Sequence, residues 1–289
     1  MMSHFILPDD LIAKLGRLSV ATSSKLRGHH KGSHRSSRIG SSLDFSDYRE
    51  YALGDDVRQV DWNVYARTEK YFIKRFLDEQ EMRVHILLDS SRSMGEGKKW
   101  LFARQIACAL GFMVLNRDDR LSFSTLEENT FFRKKGAAYR KAYLQMVTNM
   151  QEANIKGSFA RNGIKAIPKD CTVLFVVTDG LEPLEEWEHF FRKLPRFSGD
   201  VRCIQIVTEE ELHPTFTGDV RLIDAESDEE LNVSMSNKVL EQYQKERDEH
   251  EKAFYAICNR FGIKTIQLVA EDGIQRAIFH QLLKNRWVQ

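Results

Sequence analysis

Residues 84 to 95, VHILLDSSRSMG, end an apolar run on one carboxylate and two alternate hydroxyls: Asp89, Ser91 and Ser93. In a loop leaving a strand, alternate residues turn toward one point, so the two serines are placed to bind an ion while Asp89 supplies charge. A second apolar run, VLFVVTDG, ends on Asp179, where Gly180 permits a sharp turn into the next helix. Between the two, KGSFARNGI sets Ser158 in a Gly-containing loop just ahead of a helix. Three segments therefore offer hard oxygen ligands, with no His or Cys nearby in sequence. That donor set suits Mg²⁺ or Mn²⁺ better than zinc. At least one coordination position would stay open, and an incoming carboxylate could fill it.

The elements that must carry these residues are short β-branched runs alternating with amphipathic helices from residue 82 onward, the pattern of a parallel sheet covered on both faces. The expected strands are RVHILLD, RLSFSTLE, TVLFVVTD, VRCIQIVT, VRLIDA and IKTIQLVAE. Helices are expected near 98–117, 137–151, 159–167, 183–194, 236–261 and 273–285. In such a doubly wound α/β sheet, ligands sit outside the carboxyl ends of the strands, which is where Asp89 and Asp179 leave theirs. Upstream, a short amphipathic helix is expected around 8–19. The Ser-, Gly-, His- and basic-rich stretch SSKLRGHHKGSHRSSRIGSS, whose basic core runs from Lys25 to Arg38, is expected to be an exposed loop. Within 44–81, LGDD reads as a turn and KYFIKRFLD as a strand.

With those residues in place, DSSRS and VVTDG are similar to the metal-ion-dependent adhesion site of von Willebrand factor A domains. The upstream block, from RIGSSLDFSDYREYALGDDVRQVDWNVYARTEKYFIKRFLDEQE into the first strand, resembles the signature of a bacterial "domain of unknown function" family, number fifty-eight. That block combines Arg49, Gly54, Asp55, Asp56, Arg58, Asp61, Trp62, Ala66 and Arg67 in one run, and the resemblance covers about residues 38 to 180. It implies a von Willebrand A-like, Rossmann-like domain over 81–289 with a small N-terminal extension, 1–80, carrying the signature. It also implies a divalent-ion site without catalysis of its own, held directly by Ser91, Ser93 and Ser158, with Asp89 and Asp179 acting largely through water. The middle ligand of the family is usually threonine, and Ser158 stands in its place. Family members are commonly encoded beside MoxR-type AAA+ ATPases, which implies an adaptor that binds such an ATPase, or its client protein, through an acidic residue.

The signature charges have a plainer reading as a salt-bridged turn that is structural, with Trp62 as an anchor in its packing. For the ion site, the rival from another class is a metal-assisted hydrolase or phosphatase built on Asp89 and Asp179. Other enzyme signatures fail: SMGEGKKW lacks the first glycine of a phosphate-binding loop and has Lys99 where Ser or Thr is required, there is no G-x-S-x-G elbow, and His250 has no second His four residues on.

Lys and Arg number 43 against 42 Asp and Glu, so net charge gives no reason to expect nucleic acid as the partner. The basic stretch 25–38 lacks the interleaved aromatic residues of a single-strand binder. The four cysteines are far apart and show no zinc spacing, which suits reduced thiols and a cytoplasmic location. The most apolar helical segment, WLFARQIACALGFMVLNR, is interrupted by Arg104 and Gln105 and is too short to span a bilayer.

Overall fold

The computed structural model describes residues 5–22, 31–127, 131–194, 199–216, 218–224 and 230–289, with the backbone alone for 31–47, 74–80, 222 and 223. Its contacts divide into two units, Met1–Ser24 with Arg83–Gln289, and Lys25–Met82.

In the smaller unit, β1 (Lys31–Glu50) pairs antiparallel with β2 (Phe72–Gln80), with irregularities in register along the way. From Lys31 onward the expected exposed loop is therefore strand; residues 23–30 lie outside the described residues. A run without hydrophobic periodicity reads as loop, yet a long ladder satisfies its backbone groups whatever the side chains. The chain between the two strands forms a short helix, α2 (Trp62–Thr68).

The larger unit carries a six-stranded sheet in the order β10-β7-β6-β3-β4-β5. Its strands are β3 (Arg83–Leu88), β4 (Arg120–Ser124), β5 (Phe131–Lys135), β6 (Val173–Thr178), β7 (Asp200–Val207) and β10 (Lys264–Val269). All neighbours run parallel except β5, which lies antiparallel on β4. The doubly wound, mainly parallel fold is thus present, with one strand that the β-branched pattern did not reveal. β5, FFRKK, is short, solvent-facing and basic, features that keep a sheet edge from pairing with another chain. The expected strand VRLIDA does form, as β8 (Gly218–Ile223), but it stands outside the sheet in a hairpin with β9 (Glu230–Met235).

Both faces of the sheet are covered, and β6 and β7 are buried along their whole length; β6 therefore reads as an unbroken apolar run, whereas β7 also buries Asp200, Arg202 and Gln205. On one face α3 (Lys99–Asn116) packs against β3, β4, β6 and β7 and is flanked by α1 (Asp9–Leu15), α4 (Arg140–Thr148) and α9 (Gly273–Arg276). Gly111 of α3 allows the close approach of α4, because a Cβ there would lie 2.2 Å from the Tyr143 ring. On the other face, Leu87, Leu174, Val176 and Cys203 pack with Phe159 of α5 (Phe159–Asn162), with Trp187, Phe190 and Phe191 of α6 (Leu184–Lys193) and with Phe254 of α8 (Asn237–Arg260). Leu174 and Val176 belong to this face while Phe175 between them meets the Trp287 ring at a tilt, 6.1 Å between centroids, the alternation of a strand covered on both sides. The four cysteines are free and buried. Among the described residues, no helix is long and apolar enough to cross a membrane.

Candidate functional site

The strand order reverses at β3 and β6. From β3 the chain moves to β4 on one side, whereas from β6 it moves to β7 and β10 on the other. The crevice outside the carboxyl ends of two such strands is where open α/β sheets bind ligands. Asp89 leaves β3 there and Asp179 leaves β6 beside it, and the Asp89 N–H donates to the Val177 carbonyl at 2.8 Å.

Asp89 is 1% exposed. Its Oδ1 accepts from the Ser91 N–H at 2.9 Å and its Oδ2 from the Thr178 hydroxyl at 2.7 Å. Burial and the neighbouring charge of Asp179 push its carboxyl up to about 7, against the hydrogen bonds that favour the ionised form. The Ser91 and Ser93 hydroxyls are 3.1 Å apart. Ser91 is buried, 3% exposed, rather than standing in an open loop. It also forms an isolated parallel bridge to Ile155, and the Ile155 N–H donates to the Ser90 carbonyl. These contacts draw the 153–158 segment alongside the serine loop.

Ser158 caps α5, accepting from the Arg161 N–H at 3.0 Å, and its hydroxyl donates to Glu182 Oε2 at 2.6 Å. Glu182 also accepts from the N–H groups of Phe159 and Ala160. Its carboxyl is raised, first by burial and also by Asp179, while these hydrogen bonds oppose the shift. Gly180 has φ +74, the left-handed conformation that lets the chain turn from β6, and His250 Nε2 donates to its carbonyl at 2.9 Å. Gln205 holds the Asp179 carbonyl at 3.1 Å from the next strand.

Two site residues carry no motif of their own. Lys99, 1% exposed, places its ammonium 3.2 Å from Asp179 Oδ2 and 2.7 Å from Glu211 Oε1. Burial pulls its pKa down, but the two carboxylates outweigh that and hold it above the ordinary lysine value. A lysine as the first residue of a helix opposes the helix dipole, so this position needs the acidic partners it has. That conflict, a basic residue at the start of a mostly apolar helix, was the available signal; in the sequence Lys99 registers only as a failed phosphate loop. Glu182 had a weaker signal, three residues beyond Asp179.

The donor set suits a hard divalent ion. Two oxygens that share an octahedral Mg²⁺ at about 2.1 Å lie about 3 Å apart, close to the spacing of the two serine hydroxyls. Ser91, Ser93, Ser158, Asp89 and Asp179 are the residues that could hold the ion, the Ser158 hydroxyl here donating to Glu182. Among the described residues, no group of three or more His, Cys, Asp or Glu side chains has metal-holding geometry, and the oxygens gathered here include the Ser91 and Ser93 hydroxyls.

The signature residues lie in the smaller unit. Arg49 pairs with Asp55 at 2.8 Å, Asp55 accepts from the Ala52 N–H, and Arg58 chelates Asp56 across two residues. Asp61 caps α2 through the N–H groups of Asn63 and Val64 and accepts from the Tyr48 hydroxyl at 2.8 Å. Gly54 turns at φ +102, and Arg67 Nε donates to the Asn63 carbonyl. Trp62 is not the buried anchor expected: it is 56% exposed and meets Tyr65 and Tyr71 edge-on, while those two stack at 4.5 Å. Capping by Asp61 fixes α2 without help from the indole.

The model of the family "Protein of unknown function DUF58" matches residues 47–253. The chain belongs to this family. Among curated relatives, uncharacterized proteins of Mycobacterium bovis and Mycobacterium tuberculosis are 31% identical over 99 residues, which is 34% of this chain and 31% of theirs. The match thus spans about a third of these relatives' length. Among solved structures, the conserved hypothetical protein BatB of Bacteroides thetaiotaomicron is similar at a TM-score of 0.38 and 14% identity, covering 70% of this chain and 98% of that one. The SpRpn10 VWA domain is similar at a TM-score of 0.36 and 10% identity, covering 71% and 93%.

Proposed function

We propose that this protein is a non-catalytic, divalent-metal-dependent protein-binding module of the von Willebrand A type. Mg²⁺ or Mn²⁺ would be held by Ser91, Ser93, Asp89 and Asp179, and a partner would add an Asp or Glu carboxylate. The observation that carries this reading is the pair of serine hydroxyls 3.1 Å apart at the strand switch, beside two carboxylates buried against each other. The bound ion would supply positive charge that attracts the partner's carboxylate. The chain's own residues would orient and desolvate that contact: Thr178 and the Ser91 N–H fix Asp89, and Gln205 fixes the Asp179 backbone. Charge-assisted contacts in such a desolvated setting give affinity and direction. The resemblance to proteins encoded beside MoxR-type AAA+ ATPases makes such an ATPase, or its client, the partner we favour.

The test is calorimetric titration of Mg²⁺ into wild type and a Ser91→Ala/Ser93→Ala double variant. It is followed by binding of the purified ATPase from the same cell with and without chelator. Saturable Mg²⁺ binding confined to wild type, with chelator-sensitive association, is the expected result. Equal Mg²⁺ binding by the double variant would remove the site. Association with the ATPase that survives both chelator and the double variant would remove the metal from its function.

A further inference from the structure

Beside the ion site, and sharing Lys99 with it, lies a second cavity of about 480 Å³, within the size range of binding pockets for small groups. One wall is apolar: Phe216, Met235, Leu240 and Tyr243. These side chains are not closed over by the fold, since Phe216 is 40% and Tyr243 42% exposed. The same lining carries Glu96, Glu210, Glu211 and Glu271, and the Tyr243 hydroxyl donates to the Glu211 carbonyl at 3.3 Å.

The acids are not balanced from within. Lys99 is spent on Asp179 and Glu211, and the second oxygen of Glu211 caps α7 (Glu209–Leu212) by accepting from the Thr208 N–H. Glu271 accepts from the Glu209 N–H. Lys98 is the other basic residue lining the cavity. Among the described residues, neither the Glu96 nor the Glu210 side chain has a hydrogen bond or ion pair. Burial, together with Glu211, Asp179 and Asp224, raises the Glu96 carboxyl, and Lys99 offsets this only in part. Glu96 and Glu210 are solvent-exposed, and apolar side chains and accessible carboxylates lining one cavity are complementary to a long side chain with an apolar stem and a cationic head.

We propose that this cavity binds an arginine side chain of a partner polypeptide, with its guanidinium on Glu96 and Glu210 and its stem along Leu240, Phe216 and Tyr243. Arginine fits better than lysine, because its planar fork pairs with carboxylates in a bidentate manner and stacks on aromatic rings. The choice of a polypeptide as the source rests on the protein-binding reading above. The cavity itself needs no metal.

The experiment is a titration of acetyl-Leu-Arg-Leu-amide into the full chain, followed by amide NMR in the presence of EDTA. The citrulline peptide and agmatine serve as comparison probes. The arginine peptide is expected to shift Glu96, Leu240 and Tyr243, and the uncharged citrulline peptide to bind about fivefold more weakly, the upper end for a solvent-accessible ion pair. Glu96→Gln/Glu210→Gln is expected to weaken the arginine peptide to the same degree, and Asp89→Ala to leave it unchanged. Absence of binding, equal binding of the citrulline peptide, or an unaffected double variant would overturn the proposal. Agmatine binding as tightly as the peptide would overturn the polypeptide assignment, making this a site for a free amine. Because chelator is present throughout, loss of the metal reading would leave these outcomes untouched.

Discussion

Lys99→Met tests the charge balance on which the ion site depends. Methionine keeps most of the aliphatic stem, so repacking should cost under about 1.5 kcal/mol. What disappears is an ammonium, 1% exposed, between Asp179 and Glu211. Removing one partner of a buried pair leaves an uncompensated charge and costs about 3–5 kcal/mol. The upper half of that range applies here, because Asp179 also faces Asp89. The same ammonium, 3.2 Å from a carboxylate of the ion site, opposes a second cation by a few kcal/mol at an effective dielectric of about 20. The variant should therefore be less stable than wild type by about 4–5 kcal/mol in EDTA and should bind Mg²⁺ at least about tenfold more tightly. At a hundredfold excess over its dissociation constant, Mg²⁺ should restore about 2.7 kcal/mol. Urea unfolding in EDTA and in Mg²⁺, with calorimetric titration of both proteins, measures all three quantities. Wild-type stability in EDTA, or Mg²⁺ affinity unchanged or lowered, would refute the reasoning; the lowered value would mean that Lys99 holds Asp179 in position for the ion.

Three further outcomes are expected. His85 is buried with its ring nitrogens 2.9 Å from the Ser122 and 3.0 Å from the Ser124 hydroxyl, and burial, with a contribution from Arg133, lowers its pKa to about 3. The folded state thus resists a proton that the unfolded chain takes up near 6.5, and stability is lost as pH falls from there toward 3; urea unfolding should show wild type losing about 1.5 kcal/mol more than His85→Gln between pH 6.5 and 5. Trp62→Ala, at an exposed ring with two edge-on contacts, should cost about 1 kcal/mol or less, and a loss of several kcal/mol by urea unfolding would show that the indole is covered. Arg202, 2% exposed, pairs with Asp200 and donates to the carbonyls of Trp287 and Ala21. Arg202→Met should cost about 3 kcal/mol and speed amide exchange of residues 287–289 and 19–21; unchanged exchange there would exclude Arg202 as the clasp of the two termini.

The sheet was legible because its interior strands are buried on both faces, so VHILL, VLFVV and VRCIQIV stand out as runs dominated by apolar and β-branched residues. Asp89, Ser91, Ser93 and Asp179 were legible for a related reason: each follows such a run at a carboxyl end, where local geometry already aims the chain at the sheet edge. The edge strand FFRKK and the hairpin's second strand around Leu231 face solvent and carry no such signal, and the run from Lys31 to Ser42 reads as loop because its pairing partner begins only at Phe72. The exposure of Trp62 depended on whether anything covers a large ring, which composition does not state. Lys99 stands 80 residues from Asp179 and 112 from Glu211 in its ion pairs, and Glu182 stands 24 residues from Ser158. Their charges acquire meaning only when folding removes them from water and sets one beside another, because Coulomb interactions depend on distance and local dielectric rather than on position along the chain.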